Sequence, residues 1–206
     1  MTDDVGVERP LRESDLDPDP HRQLERWLAE AIDSSEQLAN AMNLATATAD
    51  GAPSARMVLL EALDADGFVF QTNTESPKAR DLAANPRAAL TFFWPIQLRQ
   101  VRASGRVELL PRSVVDRFFA ATPQPLQVML RACRQSQIIP DRATLEQSYA
   151  AALRSGQSGA PSDWGAYRLR AETIEFWQGR TNRLQDRLRY TRGADGQPWR
   201  IERLVP

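Results

Sequence analysis

The chain has 206 residues, 42% of them hydrophobic and 26% charged, and 26 Lys and Arg against 27 Asp and Glu leave a formal net charge of −1. That is room for one domain with a substantial core, and it gives no basic excess for a nucleic-acid partner. A single cysteine, Cys133, and a single histidine, His21, exclude an intrachain disulfide, a cysteine cluster for zinc and a histidine-based metal site, so no metal is expected.

Residues 1–18 are acidic, contain proline and show no periodicity, which predicts a flexible arm ahead of a single domain over 19–206. The opening MTDDVGVERP lacks the basic and apolar regions of a signal peptide. No apolar run approaches the roughly 20 residues of a membrane span, so a cytoplasmic protein without a membrane partner is expected. Asp19 and Pro20 read as an N-cap and first helical residue. Leu24, Trp27, Leu28, Ala31 and Ile32 follow at amphipathic spacing. Short β-type runs come next: MNLATATA, ARMVLLEAL, GFVFQTN, RAALTFFW and QLRQVRASGRVELL. The first turns are marked by Asp50-Gly51 and by Asp64-Ala65-Asp66-Gly67. One helix interrupts them, from Ser76-Pro77 to Asn85-Pro86. A second helical region runs from RSVVDRFFAA through TLEQSYAAALR, broken by Pro123, Pro125 and Pro140, and two strand-like stretches close the chain. Antiparallel strands with inserted helices predict an α+β protein around a small Greek-key barrel, whose closure removes exposed edges.

No glycine-rich phosphate loop is present, so side chains must supply most of the charge for any anionic cofactor. Candidates lie in separate clusters: Arg56; Ser76 and Lys78 at a helix start, where free N–H groups favour an anion; Gln100; Arg134, Gln135 and Ser136; and the tail IEFWQGRTNRLQDRLRYTR. Ser76 is equally an ordinary N-cap. Arg56, within an apolar strand, needs a partner. At strand spacing Arg183, Gln185, Arg187 and Arg189 share one face of the tail, opposite Leu184, Asp186, Leu188 and Tyr190. Such a face is either a solvated edge of Arg–Glu pairs or one crossed by an anionic or electron-rich group.

Taken in order, ARMVLL, FQTNTESPKA, NPRAALTFFW, RQVRASGRVE, RQS, IEFWQGRTNRLQDR and RIERLVP resemble the pyridoxamine 5′-phosphate oxidase family from about Leu24 to Pro206. The resemblance implies a split β-barrel homodimer with FMN at the subunit interface. The implied FMN site is Arg56, Met57, Val58, Leu59 and Glu61, then Gln71, Thr72, Ser76, Lys78, Gln100, Gln135, Ser136, Trp177 and Arg187. Arg56, Lys78 and Ser136 suit a phosphate. Gln100 and Gln135 suit flavin ring edges, and Arg187 suits the pyrimidine end.

The same resemblance shows where this chain departs. The family's substrate phosphate is held by a lysine, a tyrosine, an arginine and a serine; the matching positions are Glu61, Phe118, Thr122 and Leu126. The family's tail histidine is Gln185, which takes up no proton near neutral pH, and an arginine of its flavin-phosphate element is Pro77. Arg183 survives on the substrate face, making Arg183 and Gln185 the candidate catalytic pair and Glu61, Phe118, Thr122, Leu126, Arg183 and Gln185 the candidate substrate contacts. The implied activity is that of an FMN-dependent oxidase. A non-phosphorylated, cyclic or aromatic substrate passes hydride to flavin N5, and O2 is then reduced to H2O2, as in the family's phenazine-biosynthesis branch. Two alternatives stay open: a true pyridoxine or pyridoxamine 5′-phosphate oxidase using Arg131 or Arg134 for phosphate, and a flavin-binding protein without turnover.

Overall fold

The computed structural model describes residues 9–193 and 197–206. Helix α1, Pro20–Asp33, starts at Asp19, whose carboxylate accepts the His21 backbone N–H at 2.9 Å. The antiparallel strands β1 (Ala41–Ala47) and β2 (Pro53–Leu59) turn at Gly51, held at φ +90°. The short β3 (Ala62–Asp64) and β4 (Gly67–Asn73) turn at Gly67, φ +144°. Helix α2, Pro77–Ala84, and strands β5 (Arg87–Trp94) and β6 (Arg99–Leu109) follow. The helical insert comprises α3 (Arg112–Ala121), α4 (Gln124–Ala132) and α5 (Arg142–Ser155). Pro123 sits at the start of α4, and Asp141, next to Pro140, caps α5, so the prolines divide the region as expected. The chain ends in β7 (Trp164–Gln178), β8 (Asp186–Thr191) and β9 (Arg200–Arg203).

The strands form one antiparallel sheet in the order β2-β1-β5-β6-β7-β4-β3. Strand β7 is long enough to pair with β6 along one edge and with two strands along the other, β4 over 164–169 and β8 over 173–178. The sheet closes where β2 passes into β3. The Leu60 N–H donates to the Asn40 carbonyl beside β1, and the Glu61 N–H to the Val69 carbonyl on β4. This is a split barrel, as the sequence predicts. Alternate residues of β1, β5 and β6 point inward, so Met42, Leu44, Leu90, Phe92, Trp94 and Val101 fill the barrel with Leu24 and Trp27 of α1. A smaller core of Val69, Leu110, Val115 and Ala166 lies outside it under α3.

Two expectations need correction. Residues 9–18, assigned to a flexible arm, are packed from Leu11 onward. Leu11 and Leu16 are buried in the main core, the Leu11 N–H donates to Asp186 at 3.0 Å, and Arg203 donates to Glu13 and to the Leu11 carbonyl. Residues 1–8 lie outside the described residues. The tail strand also starts later than its periodicity suggests. Arg183 occupies a turn at φ +65°, and Gln185 accepts the Arg180 N–H, so neither shares a strand face with Arg187 and Arg189.

Candidate functional site

The sheet gathers the candidate residues into three places. The first is a cavity of about 480 Å³ between β2, the end of β4, the start of α2 and the loop after α4. Arg56, Met57, Val58, Gln71, Thr72, Lys78, Gln135 and Ser136 all line it. Proline opens α2 beside Ser76, but the Ser76 hydroxyl caps nothing. It accepts from the Lys78 ammonium at 3.3 Å instead. Lys78 is buried at 6% exposure, and its remaining partners are the Thr72 hydroxyl (3.1 Å) and the Gln135 side-chain carbonyl (2.7 Å). Arg56 donates to the Leu44 carbonyl, Thr46 Oγ1 (2.8 Å) and Ser54 Oγ (2.6 Å), and Thr46 in turn donates to Asp81 at 2.7 Å.

Among the described residues these two cations hydrogen-bond only to neutral oxygens. The physical cost shows in their titration. Burial, with Arg56 nearby, pulls the Lys78 ammonium down to about 8, and burial lowers Arg56 despite Asp81. Two partly desolvated cations beside one another, neither hydrogen-bonded to a carboxylate among the described residues, leave a preference for an anion. Ser136 holds a left-handed backbone at φ +67° on the cavity wall, a conformation a non-glycine residue keeps only under constraint.

The second place is a cavity of about 280 Å³ that shares Gln71 and Gln135 with the first. Its walls are Leu126, Met129 and Leu130 of α4 with Leu59 and Trp164, and its polar groups include Glu61 and Thr122. The indole N–H of Trp164 donates to Gln71 at 2.6 Å, which fixes the orientation of that amide. Burial raises the Glu61 carboxyl above its ordinary value. No Lys or Arg lines this cavity among the described residues. Phe118, expected here, packs instead against the outer core, with Arg117 over its ring. Arg131 is engaged by the Gly159 carbonyl, Gln127 and the Phe119 ring, while Arg134 lines a separate cleft beside Pro77 with Arg80. Neither replaces the missing phosphate ligands in the apolar cavity.

The third place is the outward face of the sheet. Gln100, Trp177 and Arg187 sit in register across β6, β7 and β8, with Phe93 of β5 beside Gln100. One pair of rungs along, Met57, Asn43, Thr91, Arg102, Glu175 and Arg189 cross six strands. Met57 and Phe93 are 61% and 55% exposed on this face. Arg187 forms a two-pronged pair with Glu175 (2.9 and 3.2 Å), and Arg189 pairs with Glu202. Within one chain these guanidiniums therefore have carboxylate partners, the arrangement expected of an Arg–Glu edge. Gln71 pairs with Ala166 and Gln100 with Trp177; that gap on β7 is roughly 36 Å of extended strand. The two halves of the expected cofactor site thus lie towards opposite ends of β7.

The sequence reading missed Thr46, Asp81, Met129, Leu130 and Trp164. The spacing of Leu126, Met129, Leu130 and Cys133 marks one apolar face of α4 and could have indicated the cavity wall. Cys133 is half-buried on that wall.

Comparison with known proteins agrees with this architecture. Residues 28–153 match the family profile described as pyridoxamine 5′-phosphate oxidase, and residues 164–206 match the pyridoxine 5′-phosphate oxidase C-terminal dimerisation region. Proteins named pyridoxine/pyridoxamine 5′-phosphate oxidase from a Nocardioides species and from Burkholderia lata are each 49% identical. They cover 95% of this chain and 92% and 93% of their own lengths. The crystal structure of PhzG from Burkholderia lata, in complex with tetrahydrophenazine-1-carboxylic acid, superposes with a TM-score of 0.90 at 32% identity. It covers 98% of this chain and 100% of its own.

Proposed function

This chain belongs to the pyridoxamine 5′-phosphate oxidase family, and we propose that within it the protein is an FMN-dependent oxidase acting on a cyclic or aromatic substrate that carries no phosphate. One observation carries the reading: a cavity with two cations and no carboxylate partner adjoins a cavity with a carboxylate and no cation. There is a place for one phosphate, that of the cofactor.

FMN fits the first cavity by its donor set. Arg56 and Lys78 offset the charge of its phosphate, with hydrogen bonds from Ser136, while Thr46, backed by Asp81, holds the Arg56 guanidinium in place. Gln71 and Gln135 stand between the two cavities, and the Trp164 bond to Gln71 leaves that amide free to donate across the boundary. FMN held by these residues would supply the acceptor for a hydride from a substrate C–H, and O2 would take the two electrons and be released as H2O2. Gln100, Trp177 and Arg187 come to this site from a second copy. The support is their place on an outward face that exposes Met57 and Phe93 and continues into the dimerisation region. Glu175 locks the Arg187 guanidinium, so it meets a ring edge in one orientation. Arg183, held in its left-handed turn, orients a substrate carboxylate or carbonyl. Gln185 positions but moves no proton, so the donor carbon must already be electron-rich, as in a dihydroaromatic.

In the apolar cavity Glu61 would stand against a phosphate ester. Two unit charges 4 Å apart cost on the order of 4 kcal/mol at an effective dielectric near 20, and among the described residues no Lys or Arg of the same chain lines that cavity to offset it. The second reading, a pyridoxine 5′-phosphate oxidase, is favoured by the names of the 49% identical relatives. Purified protein with the absorbance bands of oxidised flavin, bleached anaerobically by a reduced tricyclic carboxylate such as tetrahydrophenazine-1-carboxylic acid and not by pyridoxine 5′-phosphate, is the expected result. Fast turnover of pyridoxine 5′-phosphate would reverse the order of the two readings.

A further inference from the structure

Glu61 is the feature of the apolar cavity that burial alone leaves unexplained. It sits where the chain leaves β2 for β3, and its backbone N–H is satisfied by Val69, so the side chain is not needed to close the barrel. Among the described residues the carboxyl group accepts no hydrogen bond and forms no ion pair, although it lines a cavity whose other walls are largely Leu126, Met129, Leu130, Leu59 and Trp164. A carboxyl group kept partly desolvated with no partner favours whatever ligand group can donate to it. The remaining polar atoms on the boundary are already oriented: the Gln135 carbonyl takes Lys78 and Thr72, and the Gln71 carbonyl takes Trp164. Among the described residues of the cavity, Glu61 is the carboxylate without a partner, beside the Thr122 hydroxyl, which donates to the Phe118 carbonyl.

We propose that Glu61 is a specificity-determining residue that selects a flat, non-phosphorylated ring compound bearing an N–H or O–H donor, which it binds by a hydrogen bond inside the apolar cavity. This goes further than excluding phosphate: it requires a donor on the substrate, on the edge that faces β3. It rests on the reading of this cavity as the substrate site, and its test separates the two. A carboxylate–donor hydrogen bond in such a setting corresponds to a preference of about tenfold or more in affinity.

Indole and benzofuran share one bicyclic frame and differ by N–H against O. Their affinities for the FMN-loaded protein would be measured by titration calorimetry, for the natural sequence and for Glu61→Leu and Glu61→Gln. The expected result is tenfold or tighter binding of indole by the natural protein, a preference abolished in Glu61→Leu and partly kept in Glu61→Gln, which retains an acceptor oxygen. Equal affinities in the natural protein, or a preference that survives Glu61→Leu, would overturn the proposal. Should Glu61→Leu fail to fold, the natural protein and Glu61→Gln alone still decide it: an undiminished preference in Glu61→Gln also counts against it. Protein that refuses FMN would defeat the oxidase reading instead, and the indole–benzofuran comparison on that same protein would still report on Glu61.

Discussion

Lys78 shows most directly how a binding site works against the fold that builds it. Its ammonium is buried among neutral oxygens and falls from the ordinary 10.5 to about 8. Between these values the unfolded chain holds a proton that the folded chain releases, so the cofactor-free protein gains stability as pH rises from 8 towards 10.5. Below 8 the cost is fully present, on the order of 3 kcal/mol. A phosphate reverses the sign, because it favours the charged amine. FMN affinity should therefore be greatest below pH 8 and weaken above it, by up to about tenfold per pH unit, while riboflavin, which lacks the phosphate, shows no such slope. Lys78→Met should lose about a hundredfold in FMN affinity and flatten the pH dependence. Its cofactor-free form should melt no lower than the parent at pH 7. Fluorescence titration of both flavins across pH 7–10, with thermal melts, checks each part. Lys78, Arg56, Gln135 and Ser136 were legible in the sequence as candidates for one site because their chemistry is unusual for their setting, and the fold brings them to one cavity. The Glu175 partner of Arg187 was not, since cross-strand pairing depends on register between β7 and β8, and Phe118 was misplaced because α3 turns that side chain onto the outer core.

At the scale of elements, whatever depends on neighbouring residues could be read directly. Asp19-Pro20, Ser76-Pro77 and Asn85-Pro86 mark helix ends, and Asp50-Gly51 marks a hairpin, because capping and turn geometry are local. The docking of residues 9–18 was hidden, since Asp186, Tyr190 and Arg203, which hold that segment, lie more than 170 residues away. The bulge joining β6 to β7 was equally hidden. Register shifts between Ser104 and Gly105, so Glu172 is left over and reaches Arg87 in a two-pronged pair. Gly105 permits this because a Cβ there would stand 2.0 Å from the Arg170 carbonyl oxygen. The bulge sits between the two partners of β7, with β4 on one side and β8 on the other. Gly105→Ala should force those backbones apart and cost about 3 kcal/mol or more, read as a lower midpoint in urea unfolding. FMN affinity should fall with it, since both half-sites hang on β7. A melt unchanged within error would show that the strands can part there without loss.

For the whole molecule the question is why one chain should carry both halves of a site it cannot bring together. Strand β7 sets Gln71 and Trp177 towards its two ends, about 36 Å apart along an extended strand. The proposed two-fold dimer would resolve it: the phosphate end of each copy would meet the Gln100–Trp177–Arg187 row of the other, giving two equivalent sites. The outward face that carries this row is a continuous surface, with Ala55, Ala45, Ala89, Ser104, Thr173 and Thr191 in register across six strands. Small side chains there allow a close approach of two sheets. The arrangement has an arithmetic consequence. One variant, Arg56→Ala with Lys78→Met, loses the phosphate half; another, Trp177→Ala with Arg187→Ala, loses the row. Neither should hold FMN by itself. After the two are unfolded together and refolded, about half of the dimers are mixed. In each mixed dimer the intact phosphate half of one copy faces the intact row of the other, so about a quarter of all sites should recover FMN. Bound flavin measured by absorbance after desalting gives the fraction directly. No recovery, with mixed dimers present by mass, would mean that each site is built within a single chain.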